Sequence, residues 1–222
     1  MLVKRSLCIV FDLDDTLYSE RDYQVSGFRA VAQYIKLVYG QDLEEVISQW
    51  AAIGEADIFG RICFILGIPA SCKESFVWVY RNHFPEISLS DIAVRVLRTI
   101  QASVSAVAVL TDGRSTTQRL KLKALGLSHL PVFISEEWGD AKPGKVRFEA
   151  IQKQYQADCY WYIGDNPKKD FVAPNQLGWT SVGLRGGVRN IHSQDISNLS
   201  TEYLPKCWID SLDEILAAIG RG

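Results

Sequence analysis

The chain has little net charge: 24 Lys and Arg stand against 26 Asp and Glu, giving a formal charge of -2 and a pI near 5.9. That balance offers no basic field for nucleic acid, and no run of like charge marks a membrane-surface patch. No segment approaches the roughly 18 consecutive apolar residues of a membrane-spanning helix. The opening MLVKRSLCIVFD places a basic pair before an apolar run, but the run is short, ends in Asp12 and has no small-residue cleavage pattern behind it, so it is not read as a signal peptide. The five cysteines, Cys8, Cys63, Cys72, Cys159 and Cys207, are odd in number, scattered and without a C-x-x-C pair. Buried, reduced thiols in a cytoplasmic protein are expected. His83, His129 and His192 are isolated, as packing or surface residues are. Internal repeats and low-complexity segments are missing too.

What is present is a globular composition. With 222 residues, 47% of them apolar, the chain can bury a full core and carry one domain plus an insertion. Short apolar runs end in polar residues: LCIVF before Asp12, VSAVAVL before Thr111 and Asp112, CYWYI before Gly164 and Asp165. Continuous β-branched and aromatic runs suit parallel strands covered on both faces, and PVFIS and TSVGL read as two more. Helical patterns alternate with them: STTQRLKLKALGL, with Ser115 as the expected N-cap, and KVRFEAIQKQY. The expected fold is α/β: an open, mostly parallel Rossmann-like sheet with helices on both faces.

Residues 18–85 break this alternation. They show no strand signal and four apolar stripes at three- and four-residue spacing: Val25 to Val38, Leu43 to Trp50, Phe59 to Leu66, and Phe76 to Phe84. An inserted α-helical cap is expected there, with residues 1–17 and 86–222 forming the α/β core. SLDEILAAIG has Ser211 and Glu214 at capping-box spacing and predicts a terminal helix. Pro174 predicts that the helix after CYWYIGD is short or kinked. The six tryptophans fall mostly on apolar stripes and are expected in the core. The polar stretch from Arg185 to Pro205 has no assigned role.

The stretch CIVFDLDDTLY sets Asp12, Asp14 and Asp15 directly after an apolar run. A turn explains one acid there, but not two at alternate positions, because neighbouring carboxylates repel unless a cation or a shared proton intervenes. Residues two apart on an extended segment project the same way, so Asp12 and Asp14 share a site. Ligands of open α/β sheets bind at the carboxyl ends of strands, where Thr111, Asp112 and Asp165 also fall.

Four segments, FDLDDTL, VLTDG, AKPGK and YIGDNPKKD, in that order, resemble the motifs of the haloacid dehalogenase superfamily, mostly phosphatases working through an aspartyl-phosphate. The resemblance runs from Leu7 to about Leu184, and it implies Asp12 as nucleophile and Asp14 as the acid and base, with a pKa lifted toward neutrality. It further implies that Thr111 and the main chain around Asp112 and Gly113 hold the phosphoryl oxygens, while Lys142, preferred over Lys145, neutralises charge. A magnesium ion would be held by Asp12, the main-chain carbonyl of Asp14 and Asp165, with Asp170 as a ligand or, preferably, an anchor behind the ligands. Gly144 after AKP departs from the usual pattern.

The implied activity is magnesium-dependent hydrolysis of a small soluble phosphomonoester by a monomer or homodimer. A phosphomutase shares all four motifs, and a non-catalytic module that binds phospho-ligands is the further alternative. A dehalogenase is disfavoured by Asp14. A phospho-receiver is disfavoured by the helical insertion and by Asp57, the nearest downstream acceptor, which falls in a helical pattern. Arg21, Arg61 and Arg81 are candidate substrate contacts in the helical section.

Overall fold

The computed structural model describes residues 5–187 and 190–220. The first four residues of the opening segment, and Val188 and Arg189 of the long polar stretch, lie outside them. Six parallel strands form one sheet: β1 (Arg5–Phe11), β2 (Val104–Thr111), β3 (Val132–Ile134), β4 (Cys159–Gly164), β5 (Thr180–Leu184) and β6 (Cys207–Ile209). Their order is β3-β2-β1-β4-β5-β6. The chain builds outward from β1 through β2 to β3, then returns to β1's other side for β4. The order therefore switches at β1, and a crevice opens at its carboxyl end.

The apolar runs are continuous because both faces are covered. Leu7, Ile9 and Phe11 face one side, against α5 (Asp91–Ser103), α6 (Ser115–Ala124) and α10 (Glu214–Gly220). Cys8 and Val10 face the other, against α8 (Val146–Gln154), Phe171 and Trp179. The stripes had not singled out α5, yet Ser90 caps it by accepting from the Ala93 N–H at 3.2 Å, and Ala93, Val96, Leu97 and Ile100 form its buried face. The three-residue β6 was also missed, being too short to show a period. Ser115 does not cap α6: Arg114 takes the boundary position, and the Ser115 hydroxyl donates to Glu137 at 2.6 Å. After Pro174 comes a helix of five residues, α9 (Val172–Gln176), short as expected. At the far end, Glu214 accepts from the Ser211 N–H at 2.9 Å, one half of a capping box.

Four helices fill the section after β1: α1 (Glu20–Tyr39), α2 (Glu44–Ala52), α3 (Ile58–Ile65) and α4 (Lys73–Asn82). Their shared core contains Val31, Ile35, Ile47, Ile62 and Phe76. Val25, Val38 and Phe84 from the expected stripes are exposed, since they lie at the margins of the buried arc. Tyr23 and Tyr80 carry the packing toward the sheet, and Thr117 of α6 donates to the Arg81 carbonyl at 3.0 Å. α7 (Ser135–Trp138) completes the helices. Of the six tryptophans only Trp179 is fully buried, and Trp78 and Trp138 are exposed, correcting the expectation of core positions. All five cysteines are free; Cys8 and Cys63 are buried, but Cys159 and Cys207 are exposed. Among the described residues no helix is long and apolar enough to cross a membrane.

Candidate active site

Asp12 follows the last residue of β1, and its N–H donates to the Ile163 carbonyl at 2.8 Å, extending the ladder toward β4. Thr111 ends β2 and Asp165 follows β4, so the two strands flanking β1 bring their terminal polar residues to its carboxyl end. A cavity of about 70 Å³ opens among Asp12, Asp14, Glu20, Thr111, Asp112, Asp165, Lys169 and His192.

Lys142 enters from the loop between α7 and α8. Its fully buried ammonium lies 2.7 Å from Asp12 Oδ1, 2.7 Å from Asp170 Oδ1 and 3.0 Å from the Tyr162 hydroxyl. Burial works against its charge, but Asp12 and Asp170 outweigh it and hold the lysine well above its ordinary pKa. Lys145 is exposed and pairs with Glu149 at 3.5 Å, so the structure separates the two lysines. Gly144, the departure from the usual pattern, is required here. A Cβ would come within 2.0 Å of Asp140 Oδ1 and 2.8 Å of the Ala141 carbonyl.

Asp12, Asp165 and Asp170 are all buried, and one oxygen from each lies within 4.8 Å of the others. Burial, with Asp170 adding to it against Lys142, raises the Asp12 carboxyl to about 7. Burial followed by the charges of Asp170 and Asp12 raises Asp165 to about 9. Lys142 pairs with two of the three carboxylates and Lys169 acts on Asp12 from further away, yet Asp12 and Asp165 are still held above their ordinary values, and a hard divalent cation with oxygen ligands fits that deficit. Asp170 is the least free of the three: Oδ2 accepts from the Asp165 and Asn166 N–H groups at 3.1 and 2.8 Å, and Oδ1 takes Lys142. Gly164 admits it, since a Cβ there would meet Asp170 Oδ2 at 2.6 Å.

Asp14 corrects the expectation of a raised pKa. Burial does push it up, but Lys121 Nζ at 2.7 Å, the Gln118 amide at 3.0 Å and the Tyr18 hydroxyl hold it below the usual carboxylate value. The third acid of the opening motif has a structural task. Asp15 takes a left-handed backbone at φ 54°, and its oxygens accept from the Glu20 and Ile191 N–H groups, both at 2.8 Å. It ties β1 to the start of α1 and to the polar stretch after β5. That stretch also reaches the acids: Asn190 donates to Asp165 Oδ2 at 2.8 Å, and Gln194 donates to the Asp165 carbonyl at 2.7 Å.

Thr111 Oγ1 and Thr16 Oγ1 are buried with no hydrogen-bond partner among the described residues. The Thr111 hydroxyl, on the cavity it shares with Asp12 and Asp165, fits a ligand with an acceptor oxygen; Thr16 lines a different cavity. Asp112 is held by Arg147, a fully buried residue of α8 whose Nη2 lies 2.6 Å from Oδ1 and whose Nη1 donates to the Thr111 carbonyl at 2.9 Å. Gly113 is exposed, lies off the cavity and spends its N–H on Ser135 Oγ at 2.9 Å, so the structure does not bring it to the expected phosphate position. Glu20, Gln118, Lys121, Arg147 and Lys169 escaped the sequence reading. None belongs to a strand-end run, and only Gln118 and Lys121, three apart on one helix, offered a shared face.

A family model described as haloacid dehalogenase-like hydrolase matches residues 9–184. The chain belongs to this family. It is 25% identical over 211 residues to a glyceraldehyde 3-phosphate phosphatase of Methanocaldococcus jannaschii, covering 88% of this chain and 92% of that protein. A ribulose-1,5-bisphosphate 5-phosphatase of Halopiger xanaduensis is 27% identical over 60% of this chain and 57% of its own length. Among solved structures, the HAD hydrolase YfnB of Bacillus subtilis, bound to magnesium, superimposes with a TM-score of 0.66 at 20% identity, covering 97% of this chain and 99% of that one.

Proposed function

We propose that this hydrolase is a magnesium-dependent phosphatase that cleaves a small soluble phosphomonoester through an aspartyl-phosphate on Asp12. The observation that carries this reading is the pairing of a buried, strand-end Asp12 with the Lys142 ammonium beside the orphaned Thr111 hydroxyl. Asp12, Asp165 and the Asp14 carbonyl would hold the metal, and Asp170 would orient Lys142 and the Asp165 loop from behind. When bound, magnesium supplies positive charge that lets carboxylate and phosphate oxygens approach.

Asp12 attacks phosphorus as the ester bond breaks, and the departing alkoxide takes its proton from Asp14. Lys121 keeps Asp14 ionised in the free protein, and an arriving phosphoryl dianion raises the pKa of Asp14 so that it enters this step protonated. Asp14, left as a carboxylate, then draws a proton from water while that water displaces Asp12 from phosphorus. Lys142 neutralises charge on Asp12 and the transferring group, and Thr111 donates to a phosphoryl oxygen, where preorganised charge and donors count most. The helical section would act as a cap that limits water and meets the leaving group. The five free thiols suit a reducing cytoplasm.

Phosphate release from p-nitrophenyl phosphate tests the reading: turnover is expected with magnesium, and loss of several orders of magnitude in Asp12→Asn with the fold intact. Acid trapping should place the label on Asp12. Full turnover in excess chelator, or label on another residue, would refute it.

A further inference from the structure

Most residues around the 70 Å³ cavity come from strand-end loops; Glu20, the first residue of α1, comes from the helical section, and His192 stands at the exposed edge. The Glu20 N–H is fixed on Asp15 Oδ1 at 2.8 Å, which sets where the helix begins. Its half-buried side chain makes no hydrogen bond or ion pair among the described residues. Asp14, Lys121, Asp15 and Asp12 are near enough for their charges to act on it, and burial with Asp14's charge lifts its carboxyl to about 7. A carboxyl kept in a crowded acid site without a partner is costly to the fold alone.

The position of Glu20 relative to Asp14 says what it can meet. Glu20 and Asp14 line the same small cavity and the charge of Asp14 acts on Glu20, so a leaving group whose ester oxygen meets Asp14 has its next carbons within that cavity, where Glu20 is the lining residue contributed by the helical section. Of the nearby cations, Lys121 is paired with Asp14 at 2.7 Å and Lys142 with Asp12 and Asp170, while Lys169, loosely placed 3.9 Å from Asp112, acts on Asp12; Lys121 alone among them acts on Glu20, and Asp14, Asp15 and Asp12 oppose it. Arg81 is not among the charges that act on Glu20 and lines a neighbouring cavity with Arg114. An anionic group beside Glu20 would therefore add to an uncompensated excess of negative charge, and a hydrogen-bond donor would relieve it.

We propose that Glu20 selects the leaving group: its carboxylate accepts a hydrogen bond from a donor, hydroxyl or ammonium, on the carbon next to the ester carbon. Leaving groups with a carboxylate at that place are repelled. This assignment rests on the phosphatase reading and narrows its substrate class.

The test uses the full chain with magnesium and four monoesters. Glycerol 3-phosphate places a hydroxyl, phosphoethanolamine an ammonium and phosphoglycolate a carboxylate beside the ester carbon, and p-nitrophenyl phosphate is the reference without any of them. The wild-type protein should favour at least one donor-bearing ester over phosphoglycolate by tenfold or more in kcat/KM, about what one charged hydrogen bond contributes. The donor that wins separates hydroxyl from ammonium recognition. Glu20→Gln should reduce that ratio about tenfold, chiefly through KM and with a gain on phosphoglycolate, and Glu20→Asp should restore part of it. An equal loss on all four esters in both variants, or a wild-type preference for phosphoglycolate, would overturn the assignment while leaving the phosphatase reading in place. No turnover of any ester by the wild-type protein would overturn both.

Discussion

Lys121 Nζ lies 2.7 Å from Asp14 Oδ1, with the lysine side chain 4% and the aspartate side chain 17% exposed. The pair joins α6 to the loop after β1, and the Tyr23 ring sits 4.1 Å from the same ammonium. Removing one member strands the other charge in a poorly solvated place. A double-mutant cycle of Lys121→Met and Asp14→Asn should give a coupling of roughly 1–3 kcal/mol in urea unfolding. Additive single effects would show that the contact contributes nothing.

Arg147 should matter for both folding and turnover. It is fully buried, holds Asp112 and donates to the Thr111 and Phe133 carbonyls, tying α8 to the loop that carries Thr111. Arg147→Met is expected to lower stability by roughly 3 kcal/mol and to depress turnover on every substrate. Arg147→Lys should recover only part, because a single ammonium cannot span the three acceptors. Full recovery by lysine would contradict the planar, multi-acceptor role.

Metal-free protein should lose stability as pH rises. Asp165 is raised from 3.8 to about 9 and Asp12 from 3.8 to about 7, so the folded chain holds protons that the unfolded chain has released. Their contribution is fully present below about pH 4 and is lost as pH rises through about 7 and then about 9. Magnesium at a hundred times its Kd should stabilise the protein by about 2.7 kcal/mol near neutral pH and flatten that fall. Melting temperatures across pH, with magnesium or chelator, measure it, and Asp165→Asn should abolish the magnesium-dependent shift.

Two arginines of the helical section should behave differently. Arg61 pairs with Glu55 at 3.1 Å and covers the Trp50 ring, whereas Arg81 lines a cavity of about 340 Å³ with Trp78 and Arg114 beside the Thr111 loop. Arg81→Ala should reorder a panel of phosphomonoesters by about tenfold, and Arg61→Ala should leave the order unchanged. An unchanged order in both would exclude this cavity from substrate contact.

The strand-end acids were legible in the sequence because polar residues closing an apolar β run must lie at the end of a buried strand. Asp12, Thr111 and Asp165 then converge whenever their strands are neighbours, a condition that the strand order β3-β2-β1-β4-β5-β6 meets. The four helices after β1 were legible from their period, although Val25 and Val38 show that a stripe does not tell which of its members reach the centre. The helix α5 could have been read from its Ser90 cap and its stripe; β6, at three residues, could not.

Sequence alone determined what local chemistry dictates: the parallel strands, the helical section and the type of acid at each strand end. Tertiary structure decided how those acids are held. Whether Asp14 carries a raised or lowered pKa depends on Lys121, 107 residues away, and Asp112 depends on Arg147, 35 residues away. Coulomb energy and burial act through space with no regard to chain separation, so a carboxylate's protonation state became readable only once its neighbours were in place.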